Sequence, residues 1–104
     1  MLKKISPINL CKKLFPINRS LTGKGNRKTL SILRDICPDL EIKSFKSNTK
    51  VFDWRIPREW AVKDAYIITP DKKKICSFKD NNLHLVGYSH SINKNISLKE
   101  LQKN

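Results

Sequence analysis

A chain of 104 residues has room for one small domain or for part of a larger one, and 38% of its residues are hydrophobic, which is enough to bury a core. Its formal net charge is +13, and the 17 lysines and 5 arginines behind that charge run along the whole chain instead of gathering in one segment. The charge would favour anionic partners, but proteins that read bases rely on the bidentate fork of arginine, so a lysine-rich composition argues against a dedicated nucleic-acid reader.

Two amphipathic helices are predicted near the start of the chain. Ser6 is a suitable N-cap and Pro7 suits the first helical position, so the first helix begins there, and Pro16 ends it. Apolar residues at helical spacing over 30–37 predict the second helix. Pro38 stops the second helix, because the residue before a proline resists the α conformation.

The segment between these helices contains Gly23 and Gly25 among basic residues, as a phosphate-binding loop would. A P-loop needs Ser or Thr after its Gly-Lys pair, but Lys24 is followed by Gly25, and the dinucleotide fingerprint needs a third glycine where Lys28 stands. Thr22 therefore predicts an ordinary N-cap for the second helix, although free N–H groups at such a terminus could still hold an anion. Glycines are poor helix formers, so their position predicts close approach of a neighbouring backbone.

The rest of the chain predicts mainly strands. Ser97 with Glu100 predicts a capping box for a short helix, Leu98–Gln102, which is too short to be stable without a partner and suggests a chain cut short. The order of two helices, mostly antiparallel strands and a short helix is α+β. The strand-like segments are 40–45, 51–56, 65–69, 75–78 and 83–89. The third and fourth of these, 65–69 and 75–78, are predicted to form a hairpin.

The cysteines and the hydropathy pattern limit the cellular setting. Cys11, Cys37 and Cys76 are odd in number and widely spaced, so they predict neither a disulfide framework nor a zinc knuckle, and reduced thiols favour a cytoplasmic protein. Lys12 and Lys13 interrupt any signal-peptide core. No segment reaches the ~20 apolar residues of a membrane span, so no membrane association is expected.

No catalytic or metal-binding residue is predicted. His84 and His90 are six residues apart in a predicted strand, which would separate them by roughly 20 Å, too far to share an ion. No candidate base stands near a Cys or Ser in the sequence, so nucleophilic catalysis is not indicated.

The middle of the chain contains three carboxylates and both tryptophans. Asp53, Glu59 and Asp64 are expected to form ion pairs with basic neighbours in the sequence, which are Lys50, Arg55, Arg58 and Lys63. Trp54 and Trp60 could stack on nucleic-acid bases, but beside Phe52 and Ile56 such tryptophans are more often core or interface anchors. From the residues alone, a small basic nucleic-acid-binding or protein-interaction module stays open.

Three stretches in combination carry more information than the composition. LFPINRSLTGKGNRKTL at 14–30, KVFDWRIPREW at 50–60 and NLHLVGYSHSIN at 82–93 together resemble the N-terminal region of a bacterial family of uncharacterised aminopeptidase-like proteins, often linked to polysaccharide biosynthesis loci. The resemblance implies a zinc-exopeptidase-like α/β fold with an inserted β-rich domain. On that map, residues 1–56 are the entry helices and first strands of the peptidase-like domain, and residues 57–104 begin the inserted domain; both are incomplete.

The resemblance also implies what this chain lacks. Family members are several times longer, and their presumed zinc ligands and catalytic carboxylate lie beyond the matching region, so no catalytic or metal role is carried over. The chain is then expected to be an N-terminal fragment of a zinc-dependent aminopeptidase-like hydrolase, inactive alone. Zinc would belong to the full-length protein, and the remainder of the peptidase-like domain would be the partner. Structural or cleft-lining roles are expected for Arg19, Thr22, Gly23, Gly25 and Trp54.

Overall fold

The computed structural model describes residues 4–103. The first three residues, which belong to the charged N-terminus compared above with a signal peptide, lie outside the described residues, as does Asn104. Helix α1 spans Pro7–Leu14, helix α2 spans Lys24–Ile36 and helix α3 spans Leu98–Leu101. All three helices are predicted by the sequence. The helices and the short antiparallel strands together confirm the α+β class.

The first and last helices, α1 and α3, differ in how their N-termini are capped. Ser6 occupies the N-cap of α1 in an extended conformation, but its side chain makes no cap hydrogen bond. In α3 the predicted capping box is present: the Ser97 hydroxyl accepts from the Glu100 backbone N–H at 3.2 Å, and the Glu100 carboxylate accepts from the Ser97 N–H at 3.0 Å. This reciprocal pair satisfies two otherwise free donors of a very short helix.

The predicted N-cap of α2 is wrong. Gly23, and not Thr22, occupies the N-cap, and its φ is 116°, a conformation that L side chains avoid. The chain therefore turns into the helix at the glycine, and the Thr22 hydroxyl faces the Tyr88 hydroxyl at 3.4 Å instead of the first helical turn.

Two small antiparallel hairpins form the β-structure. Strand β1, Lys50–Val51, pairs with β2, Trp54–Arg55, and β3, Ile67–Ile68, pairs with β4, Lys74–Ile75. The β3–β4 hairpin confirms the predicted one in a shorter form. The prediction of a single strand over 51–56 is wrong, because Val51 is paired with Trp54 and the chain reverses between them. Alternating hydrophobicity cannot distinguish one strand from two short ones when no glycine marks the turn.

Two predicted strands are absent. Residues 40–45 form no strand, and a single 3₁₀ turn, Asn82–His84, begins the segment predicted as a strand over 83–89. The Asn81 side chain accepts from the Leu83 backbone N–H at 2.9 Å and caps that turn. A strand needs a neighbour to complete its ladder of hydrogen bonds, and neither segment is paired with one in the part of the chain that the structure describes.

The chain has little interior of its own. Within residues 4–103 no hydrophobic side chain is buried, and the buried polar side chains are those of Thr29 and Ser77. The radius of gyration is 18.2 Å, whereas a compact domain of about 100 residues has a value of about 13 Å. Since apolar burial is the main force that stabilises a fold, the described residues supply only a small part of the usual stabilisation. None of their helices has the length and apolar character needed to cross a membrane.

Candidate functional site

The three sequence stretches meet at one place in the structure. The Trp60 ring stacks on the Tyr88 ring, with centroids 5.9 Å apart and an interplanar angle of 21°. The Trp60 indole N–H donates to the Ser89 carbonyl oxygen at 3.0 Å. We call the group formed by Thr22, Arg27, Glu59, Trp60 and Tyr88 the motif junction, because it joins the first stretch, the second and the third.

Tyr88 is the centre of the motif junction. Its hydroxyl donates to the Arg58 carbonyl oxygen at 3.1 Å and lies 3.4 Å from the Thr22 hydroxyl. Its φ of 63° is in the left-handed region, which is uncommon for a bulky residue and costs conformational free energy. The ring stack and the hydroxyl contacts hold the residue in this conformation.

A second link in the motif junction is an ion pair. The Arg27 guanidinium donates through both terminal nitrogens to the Glu59 carboxylate, with Nη2 3.2 Å from Oε2. These hydrogen bonds hold the pKa of Glu59 below the usual value of a glutamate, against the opposing effect of desolvation. Because the pKa of Glu59 is lower in the folded state, the ion pair contributes its full stabilisation of the fold at a pH above the ordinary pKa of a glutamate. That contribution is lost as the pH falls through the lowered pKa.

The glycines of the first stretch have two different reasons to be glycine. A Cβ on Gly25 would overlap the carbonyl oxygen of Asn18 and lie 2.7 Å from its carbonyl carbon, so the predicted close backbone approach is confirmed at this position. At position 23 the reason for glycine is the positive φ and not a lack of space. The nearest atom that a Cβ on Gly23 would meet is the Trp60 carbonyl oxygen at 3.7 Å, an ordinary contact distance. The Asn26 side chain also donates to the Ser20 carbonyl oxygen at 2.7 Å, which fixes the loop against the start of α2.

Two shallow cavities lie beside this loop. The first has a volume of about 300 Å³ and includes Lys79 and Asp80 in its lining; the second, of about 260 Å³, is lined by Arg19 and by apolar and amide groups of the first and third stretches. The Asn82 side chain lines both and donates to the Phe15 carbonyl oxygen at 2.8 Å. Arg19 is the charged residue that lines the second cavity.

The five residues given structural or cleft-lining roles are therefore only partly brought together. Arg19, Thr22, Gly23 and Gly25 lie in one loop and the first turn of α2, beside the second cavity and the motif junction. Trp54 lies in β2 with 52% of its surface exposed, and the ring stack that joins the stretches uses Trp60. Whether any of them lines a catalytic cleft stays a prediction.

Of the three carboxylates predicted to form ion pairs, Glu59 and Asp64 do so, with partners other than the predicted ones. Glu59 pairs with Arg27, and Asp64 lies 3.1 Å from Lys79 Nζ and 3.7 Å from Lys74 Nζ. Neighbours along an extended segment point to opposite sides, so charges that are adjacent in sequence are poorly placed to meet. The partners of Glu59 and Asp64, which lie far from them in the sequence, could not be predicted from the local charge pattern.

The histidines and cysteines do not assemble a metal site among residues 4–103, where no group of three or more His, Cys, Asp and Glu side chains could hold an ion. His84 Nδ1 lies 2.9 Å from the Ser77 carbonyl oxygen, which gives this ring a structural role. Cys11, Cys37 and Cys76 are free thiols.

The family whose description is "Domain of unknown function (DUF4910)" matches residues 8–101, a segment that contains all three stretches of the motif junction. The chain belongs to the DUF4910 family. This membership confirms the resemblance, and it rests on the segment in which the loop before α2, Trp60 and Tyr88 come together.

Two relatives of this DUF4910 chain come from Clostridium acetobutylicum. One, whose name describes a candidate polysaccharide biosynthesis protein with an aminopeptidase-like domain, is 51% identical over 94 residues, which are 90% of this chain and 21% of the relative. The other is a crystal structure of a candidate peptidase, with 50% identity and a TM-score of 0.82 over 91% of this chain and 22% of that chain. The DUF4910 chain therefore spans about a fifth of the length of these relatives.

Proposed function

We propose that this chain forms the N-terminal, non-catalytic portion of a peptidase-like protein of the DUF4910 family. The observation that carries the proposal is an extended conformation in which residues 4–103 bury no apolar side chain. This conformation is nevertheless similar, at a TM-score of 0.82, to a segment of a much longer crystallised chain. Such a conformation is one that a larger protein stabilises with the rest of its polypeptide. The remainder of the peptidase-like domain is thus the partner.

The motif junction then has a scaffolding role. Its aromatic and polar groups are engaged with one another: Trp60 with Tyr88 and Ser89, and Arg27 with Glu59. Groups that are committed to such contacts fix the relative positions of three chain segments and are not free to act on a substrate. Zinc, and the hydrolysis of N-terminal residues from peptides, belong to the longer protein, which we place in the cytoplasm.

Activity measurements test this assignment. We expect no hydrolysis of aminoacyl p-nitroanilides by the 104-residue chain. We expect zinc-dependent hydrolysis by the crystallised C. acetobutylicum relative and by a chimera in which residues 8–101 replace the matching segment of that relative. Zinc content of the relative and the chimera is measured by elemental analysis, and a chelator provides the control.

Hydrolysis by the 104-residue chain itself would contradict the non-catalytic role. A relative that contains no stoichiometric zinc and cleaves none of the probes would contradict the peptidase part of the proposal.

A further inference from the structure

The turn of the β1–β2 hairpin presents an aromatic side chain in an unfavourable setting. Phe52 is the first of the two residues between the paired Val51 and Trp54, its φ is 51°, and 91% of its surface is exposed. Two-residue hairpin turns place glycine, asparagine or aspartate at positions with positive φ, because other side chains are strained there. Phe52 therefore combines backbone strain with an exposed apolar ring.

The other described non-glycine residues with positive φ are Asn48, Lys72, Cys76 and Tyr88, and of these only Tyr88 has an aromatic ring. Tyr88 has a φ of 63°, but its ring stacks on Trp60 and its hydroxyl is hydrogen-bonded. Lys72, with a φ of 62°, lies in the turn of the β3–β4 hairpin and presents a polar side chain to solvent. Phe52 has neither of these compensations, and a surface that covered the ring would supply one.

Trp54 extends the apolar surface at the same end of the hairpin. It is paired with Val51 and is 52% exposed. We call Phe52 and Trp54 together the aromatic tip. A large aromatic side chain that fills a pocket is the kind of residue that carries most of the binding free energy at protein interfaces.

The similarity to a longer chain indicates what covers this surface. A similar fold, at a TM-score of 0.82, occurs in a crystallised chain of which the matched segment is 22%, so most of that polypeptide is covalently attached to the segment. A tethered partner acts at a high effective concentration, which favours it over a second copy or an unrelated protein. Burial of Phe52 in an apolar pocket of that polypeptide would offset both the strain and the exposure.

We propose that the aromatic tip docks in an apolar pocket of the remaining polypeptide of a DUF4910 protein and anchors residues 8–101 to that polypeptide. The inference rests on the function proposed above and adds the element that makes the contact. It assigns the β1–β2 hairpin an anchoring role, while the motif junction fixes the internal geometry of the segment.

Cysteine labelling tests the docking. Asp53→Cys, which places the thiol in the same turn and keeps both aromatic rings, and the control Lys72→Cys are introduced into the 104-residue chain and into the chimera. The rate of alkylation of each cysteine is read by peptide mass spectrometry. We expect position 53 to react about tenfold or more slowly in the chimera than in the 104-residue chain, and position 72 to react at about the same rate in both, because labelling follows exposure.

The alternative results separate the two proposals. Equal labelling of position 53 in both proteins, with a chimera that unfolds cooperatively, would overturn the docking and leave the proposed function standing. A chimera that does not fold as one unit would overturn the proposed function. Protection of position 53 in the 104-residue chain that increases with protein concentration would overturn the docking in favour of self-association.

A second variant does not depend on a new thiol. Phe52→Gly removes the strain and the ring together, so we expect it to lower the unfolding midpoint of the chimera through the lost docking contact alone. Lys72→Gly is the matched control at positive φ, and it should not lower the midpoint of the chimera. A Phe52→Gly chimera as stable as its parent would count against the docking.

Discussion

Gly25→Ala is expected to destabilise the chimera by about 3 kcal/mol, at the upper end of the usual cost of overpacking. The added methyl group would overlap the Asn18 carbonyl oxygen and lie 3.4 Å from the Arg19 Cα, and these are backbone atoms that cannot rotate away. The loop and the first turn of α2 would have to separate, which would also break the hydrogen bond from Asn26 to Ser20. The free energy of unfolding in urea measures the effect.

Gly87→Ala is the matched control for this prediction. Apart from its two chain neighbours, none of residues 4–103 has a heavy atom within 4 Å of the position where its Cβ would be, and its φ is not in the left-handed region. We therefore expect a change of less than about 0.5 kcal/mol. If Gly25→Ala is as mild as Gly87→Ala, the loop does not pack on α2 as the structure describes.

Trp60→Ala is expected to destabilise the chimera by about 2–3 kcal/mol, less than the loss of a fully buried tryptophan because Trp60 is only half-buried. The substitution removes the stack on Tyr88 and the indole hydrogen bond to Ser89. A double-mutant cycle with Tyr88→Ala should give a coupling energy of about 1 kcal/mol, the usual size for an aromatic pair. Urea unfolding of the two single variants and the double variant supplies the cycle.

Trp54 supplies the control cycle. Trp54 and Tyr88 share no ring contact in the structure of residues 4–103, so the effects of Trp54→Ala and Tyr88→Ala should add without coupling, whatever the size of each. Equal coupling energies in the two cycles would mean that Trp60 is not the specific partner of Tyr88.

The helices and the β3–β4 hairpin could be predicted from the sequence because their signals are local. Pro7, Pro38 and the Ser97–Glu100 pair mark helix ends whatever the rest of the chain does, and the β3–β4 hairpin has a proline-containing turn. The reversal at Phe52 could not be predicted, since an aromatic residue at a position that favours glycine gives no turn signal.

The contacts of the motif junction could not be predicted from local sequence patterns, because they join residues that are far apart in the chain. The order of the three stretches identified the family, but Tyr88 was not singled out, because a stack with a residue 28 positions earlier leaves no periodic pattern. The partner of Glu59 leaves no local signal either, because Arg27 lies in α2, 32 positions earlier in the chain. Residues 40–45 were assigned to a strand on alternation alone, which does not say whether a pairing partner exists.

Hydrogen exchange at the α2 amides, residues 24–36, tests the central claim most directly, because it compares the same helix with and without the rest of the peptidase-like protein. Since the chain buries no apolar side chain within its described residues, we expect these amides to exchange at least about a thousandfold faster in the 104-residue chain than in the chimera. Equal protection in the two proteins would contradict the claim that the segment is completed by the longer polypeptide.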